Sequence, residues 1–279
     1  MGDRRTHGVT TTDGVAIRGA VHGQGPHLVF SPGAFGDGDL DWQWLLPHLA
    51  GRFTCYLPSL RGRGLSDDHH DLSFGRRVED ILAYVGSIGG PTGLLGWSAG
   101  GAVALVAAAQ TDAVTAVAIY EPVLDGLMDE QERAAIGRAV TRMGELVAAG
   151  DQPAAAGAFG DFVFNDDENA AVEAAGYFKA TGRYAPNLLR TFQQAAEHAG
   201  DGAPAPQSAS DPDVLGAISV PVLVLHGSAS KPYWARFARH VADHVPNATL
   251  RQVPNAGHAA PLTDAEAVAE AITDFFTSA

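Results

Sequence analysis

A repeating rhythm constrains this chain most: short β-branched apolar runs recur, each closed by a turn and followed by a helical pattern. Val15 to Val21 and His27 to Phe30 read as strands, the second ending at Ser31-Pro32-Gly33. A helix is expected from about Asp41 to Ala50, and Phe53 to Leu57 reads as the next strand, closed by Pro58. Past the loop Arg61-Gly62-Arg63-Gly64, the residues Val78, Ile81, Leu82 and Val85 share one face of a helix from Phe74 to Val85. Thr92 to Trp97 supplies a strand, Gly100 to Ala109 a helix, and Val114 to Tyr120 another apolar run. Strands alternating with helices predict an α/β fold, a mainly parallel sheet covered by helices on both faces.

The rhythm then stops. From about Asp125 to Pro212 the chain is rich in alanine and glutamate at helical spacing, and Asp201 to Pro212 reads as a flexible connection. Strand signal returns at Val220 to Leu225, followed by a helix near Tyr233 to Val245, a strand at Ala248 to Val253 and a final helix from Asp264 to Phe276. The expected organisation is one α/β core, residues 1–124 and 213–279, carrying a helical cap inserted at 125–212.

Composition removes several function classes. The formal charge is −14, which argues against nucleic-acid phosphates as partners. Cys55 is the only cysteine, so neither an intramolecular disulfide framework nor a Cys-pair metal site can form. The neighbours Asp67-Asp68 and His69-His70 read as solvated loop residues, and no metal site is expected. Arg4-Arg5 is followed by no apolar segment, and no run approaches the roughly 20 residues that span a bilayer. A soluble cytoplasmic protein is expected, acting on a small molecule, with no nucleic-acid or membrane partner. Assembly into a homo-oligomer stays open.

Chemistry concentrates at Gly96-Trp97-Ser98-Ala99-Gly100, a G-x-S-x-G stretch with a strand before it and a helix after it. A tight strand-to-helix turn strains the serine and demands small neighbours, which Gly96, Gly100 and Gly101 supply. The turn lifts the hydroxyl above the sheet, where the helix N-terminus favours a developing anion.

With this turn the sequence resembles the α/β-hydrolase superfamily, over nearly the whole chain outside the helical block. Phe30-Ser31-Pro32-Gly33-Ala34 stands where members often carry His-Gly and an oxyanion-hole residue. Leu60 to Asp67 is similar to the family's loop after its fourth strand, and Asn255-Ala256-Gly257-His258 to its catalytic-histidine loop. The resemblance implies Ser98 as nucleophile and His258 as its base, with His226 the competing histidine. It also implies an oxyanion hole from the backbone amides of Ala99 and Ala34, with Gly33 permitting close approach.

The acid is less direct. Many members place it three residues beyond a glycine after the strand matching Val220 to Leu225, and here Ser230 occupies that position. Either the third member is missing or the carboxylate comes from another strand end. Glu121, directly after the run Val114 to Tyr120, offers the second solution, with Asp125 as alternate. Phe35, Trp97, Tyr233 and Trp234 are the expected substrate contacts, with cap aromatics such as Phe159, Phe162 and Phe164 as further wall.

The expected activity is cofactor-free hydrolysis of a carboxylic ester or lactone through an acyl-enzyme. A serine at the nucleophile position separates the chain from the dehalogenase and epoxide-hydrolase branches, which use aspartate. Similarity to capped lactonases of zearalenone-hydrolase type implies a large apolar lactone. Cleavage of a carbon–carbon bond in a β-diketone, or ligand binding without catalysis, are the alternative readings.

Overall fold

The computed structural model describes residues 5–200 and 207–278. An edge hairpin opens the chain, with β1 at Thr6–Thr10 and β2 at Ala16–His22. Then follow β3 (His27–Ser31), α1 (Leu46–Leu49), β4 (Thr54–Pro58), α2 (Phe74–Ile88), β5 (Thr92–Trp97), α3 (Ala99–Ala108) and β6 (Val114–Tyr120). Five helices succeed one another without a strand: α4 (Glu130–Ala148), α5 (Gln152–Val163), α6 (Asp166–Ala174), α7 (Tyr177–Thr181) and α8 (Ala185–Gly200). The short α9 (Pro212–Gly216) leads back to β7 (Val222–Gly227), α10 (Pro232–His244), β8 (Ala248–Val253), α11 (Ala260–Thr263) and α12 (Ala265–Ser278).

The eight strands form one sheet in the order β1-β2-β4-β3-β5-β6-β7-β8. The β1–β2 and β2–β4 pairs are antiparallel, and every other pair is parallel. Parallel strands buried on both faces need near-continuous apolar sequence. Leu94, Leu95, Val117, Ile119, Val222 and Val224 supply it at the centre, each essentially without exposure. The chain runs from β3 to β4 on one side and returns to β5 on the other. That reversal leaves a crevice outside the carboxyl ends of β3 and β5, the usual ligand site of such sheets. The loop after β3 and the serine turn after β5 both open there.

Two expectations change. The helix foreseen from Asp41 to Ala50 is only the single turn α1, preceded by hydrogen-bonded turns such as Asp41 N–H to Asp37 O at 3.0 Å. Pro47 sits in its first turn, where a missing N–H is tolerated, so the helix begins beside it rather than running through it. The strand β1 was not foreseen, because its residues alternate between exposed and half-buried with Val9 as the lone large apolar side chain. The foreseen flexible connection falls partly outside the described residues, at 201–206.

The loop Arg61-Gly62-Arg63-Gly64 is structural. The buried Arg61 guanidinium makes a bidentate pair with Asp80 on α2, at 2.8 and 2.6 Å, and a third bond to Asp13 at 2.9 Å. Asp67 pairs with Arg18 and Asp68 with Arg190, so these loop carboxylates tie segments together. Among the described residues no His/Cys/Asp/Glu group could hold a metal ion, and no helix is long and apolar enough to cross a membrane.

Candidate active site

Ser98 stands at the end of β5 with φ 56° and ψ −122°, outside the regions a serine ordinarily adopts. Backbone bonds hold it there: its N–H donates to Tyr120 O, and its carbonyl accepts from Gly101 and Val123. The neighbouring glycines are obligatory. A Cβ on Gly100 would lie 2.1 Å from Ser31 O, and one on Gly96 would lie 2.6 Å from Gly100 O. The same contact presses the first turn of α3 against the loop after β3.

That loop carries Gly33 and Ala34. The buried Arg63 donates to Ala34 O at 2.7 Å and Gly36 O at 3.0 Å, and its Nε reaches Asn187 on α8. Neither the Ala34 nor the Ala99 amide donates a hydrogen bond to another described residue. Gly33 lies against the Trp97 ring, where an added Cβ would be 3.2 Å from Cε3.

Glu121 follows β6 directly and has φ 44°, a left-handed conformation rare for glutamate. Its N–H donates to Leu225 O on β7, and its side chain is wholly buried. His258 Nδ1 lies 2.8 Å from one carboxylate oxygen. The other oxygen accepts from Gly227 N–H at 2.8 Å and from Ser230 Oγ at 2.5 Å. Ser230, at the position where the resemblance led one to expect an acid, instead donates to the Glu121 carboxylate. Burial raises the Glu121 carboxyl above the ordinary carboxylate range, while the Ser230 and Gly227 bonds oppose that shift by favouring the ionised form. Burial likewise lowers His258, so its imidazole favours the neutral form.

His258 is framed on several sides. Its ring stacks on Trp234 with centroids 3.7 Å apart and planes 4° from parallel. Trp97 Nε1 donates to the His258 carbonyl at 2.9 Å, and Tyr120 Oη donates to Gly257 O at 2.6 Å. No hydrogen bond joins His258 to Ser98 in this arrangement, although both lie at the same end of the sheet.

The other candidates separate clearly. His226 is the penultimate residue of β7 with Nδ1 3.3 Å from Gly227 O, and no bond joins it to Glu121. Asp125 sits in a single 3-10 turn after β6, its charge facing Arg77 on α2. Phe35 is buried among Phe159, Phe164, Tyr177 and Phe178, so α5 and α7 close over the loop after β3. Tyr233 turns toward α5, its hydroxyl bonded to Phe162 O at 2.8 Å and its ring stacked on Phe162. Trp234 Nε1 is likewise taken, by Val163 O at 3.1 Å.

Sequence reading missed Ser230 as a partner of Glu121, Arg63 as the clamp on the loop after β3, and Glu168 on α6. Glu168 is buried, and one of its oxygens accepts the Ala259 N–H at 2.5 Å. Its only sequence signal is Asn165-x-x-Glu168, a helix-capping pattern that says nothing of Ala259.

A mostly parallel eight-stranded sheet, flanked by helices and carrying a strained serine turn after its fifth strand, is the α/β-hydrolase fold. The chain belongs to the alpha/beta hydrolase family, whose model matches residues 21–271. An alpha/beta hydrolase from Sphaerobacter thermophilus is similar at 26% identity and TM-score 0.71, covering 95% of this chain and 100% of that one. An esterase from Rhodococcus sp. ECU1013 shares 22% identity with TM-score 0.73, covering 98% of each chain. The enol-lactonase of Burkholderia xenovorans shares 18% with TM-score 0.72, covering 97% of this chain and 100% of that one. No curated protein matches the sequence.

Proposed function

We propose that the chain is a serine hydrolase of carboxylic esters or lactones, working through Ser98, His258 and Glu121 and an acyl-enzyme. The observation that carries this reading is the 2.8 Å bond between His258 Nδ1 and the buried Glu121 carboxylate. With Nδ1–H donated to the carboxylate, Nε2 keeps its lone pair and is the atom free to act as base. Nε2 takes the Ser98 proton as Oγ attacks the substrate carbonyl, and the imidazolium that forms is stabilised by Glu121. The same proton then passes to the leaving alkoxide. Water, deprotonated by Nε2, attacks the acyl-enzyme and releases the acid and free Ser98.

The amides of Ala34 and Ala99 are the donors for the tetrahedral oxyanion. Arg63 supports the first of them by fixing the carbonyls of Ala34 and Gly36. Removing one such donor typically costs about 10²–10³ in rate. The chemistry asks for no cofactor.

For the substrate, the enol-lactonase and esterase likenesses and the ring-lined cover over Phe35 support an apolar ester or a large apolar lactone. Helices α4 to α8 act as the cap, with boundaries near residues 125 and 212. A panel of aryl esters and macrocyclic lactones, followed by proton release, tests the activity. Hydrolysis of at least one class, lost in Ser98→Ala, is expected; equal turnover by Ser98→Ala would defeat the assignment.

A further inference from the structure

Glu168 is bonded as no ordinary helix-capping residue needs to be. In its capping box, one oxygen accepts the Asn165 N–H at 3.1 Å while its own N–H bonds Asn165 Oδ1 at 2.8 Å. That local exchange uses one carboxylate oxygen. The other reaches out of its helix to the Ala259 N–H, directly after His258. The fit continues at Gly257, directly before His258. A Cβ there would lie 2.2 to 2.4 Å from three atoms of the Glu168 carboxyl, so the carboxyl packs directly over the Gly257 Cα.

We infer that Glu168 is a positioning residue for His258, holding the histidine loop against α6 and placing a second negative charge beside the imidazole. This rests on the reading of His258 as general base. Both Glu168 oxygens accept N–H bonds, which favour its ionised form against the effect of burial. The charge has a defined sense for catalysis. An anion near the imidazole favours the imidazolium that forms as Ser98 attacks, and so assists proton removal. The charged and titratable groups around the pair are Glu121 from the end of β6, Lys231 beside the start of α10, Tyr120, Tyr233 and His226. Among them, Lys231 acts in the opposite sense to Glu168 on the imidazole.

The same corner of the helical layer holds the loop that supplies Ser230. Asn165 Nδ2 donates to Ala229 O at 3.0 Å, and Lys231 Nζ donates to the carbonyls of Asp161 and Phe162. The end of α5, Asn165 and the first turn of α6 thus grip both loops that shape the Glu121–His258 pair. Docking of α6 and placement of the base are one event.

The test measures the rate of Ser98 modification by a fluorophosphonate probe across pH, so that no substrate need be known. Wild type, Glu168→Gln, Glu168→Ala and His258→Asn are compared, with melting temperatures for each. Glu168→Gln keeps an acceptor but loses the charge. Its plateau rate should fall about tenfold, and its acid limb should move about half a pH unit or more toward lower pH. The sign follows from the charge: without the anion the imidazolium is less favoured, so the base stays neutral further into acid. Glu168→Ala should lose about 100-fold with the same displacement. An unmoved limb in Glu168→Gln, with normal dependence on His258, would overturn this inference alone. Wild-type reactivity in His258→Asn would overturn the assignment of the base and this inference with it.

Discussion

Glu121→Gln should lower turnover by about four orders of magnitude while leaving the fold intact. The carboxylate makes three bonds that each use it as an acceptor, from His258 Nδ1, Gly227 N–H and Ser230 Oγ. An amide can satisfy only one side of that arrangement. If its oxygen keeps Gly227 and Ser230, its NH₂ faces Nδ1 and donates to it. The proton then moves to Nε2, the tautomer that cannot accept from Ser98. The shape is conserved and the chemistry inverted, which is why the expected loss is so large beside so small a change. Steady-state turnover and the melting temperature, measured on one preparation, check it. Turnover within tenfold of wild type would remove Glu121 from the mechanism and return the search to another carboxylate.

The second large effect concerns stability. Arg61→Ala should destabilise the protein by about 3–5 kcal/mol, the cost of leaving a buried partner charge uncompensated. Arg61 and Asp80 have side-chain exposures of 1% and 3%, so water cannot replace the lost bonds. Asp13, itself mostly buried, loses its bond as well. Unfolding followed by heat should show a drop on the order of 10 °C. The fork also joins α2, the β1–β2 turn and the loop that carries Arg63, so its loss should loosen the clamp on Ala34. An unchanged melting temperature would show that the network contributes no net stability. Arg61→Lys, which keeps the charge but loses the bidentate geometry, should fall between.

How much of this was legible in the sequence depends on the range of the interactions concerned. The serine turn was readable because its signal is local: steric limits at Gly96 and Gly100 leave a five-residue trace. Strands β6 and β8 were placed to the residue: β6 is a nearly continuous buried apolar run, while β8 is a mostly exposed edge strand bounded by the turns before Ala248 and after Val253. Glu121 came into view as the candidate acid through a vacancy, because Ser230 stood where an acid was expected. The reason that vacancy is stable was not readable. It is a bond between side chains 109 positions apart, and either residue alone looks ordinary. Arg63 and Glu168 were missed for the same reason, each being defined by a backbone group on a distant loop. The short α1 was misread because Trp42, Leu45 and Leu49 have helical spacing, yet they are buried by turns and one helical turn around Pro47.

The central claim is that Ser98 is a nucleophile activated by its surroundings, and covalent labelling tests it most directly. Wild-type protein treated with a fluorophosphonate should gain one adduct, mapped by peptide mass spectrometry to the segment holding Gly96 to Gly100. Ser98→Ala should gain none. Absence of the adduct in folded wild-type protein, or an equal adduct in Ser98→Ala, would contradict the account.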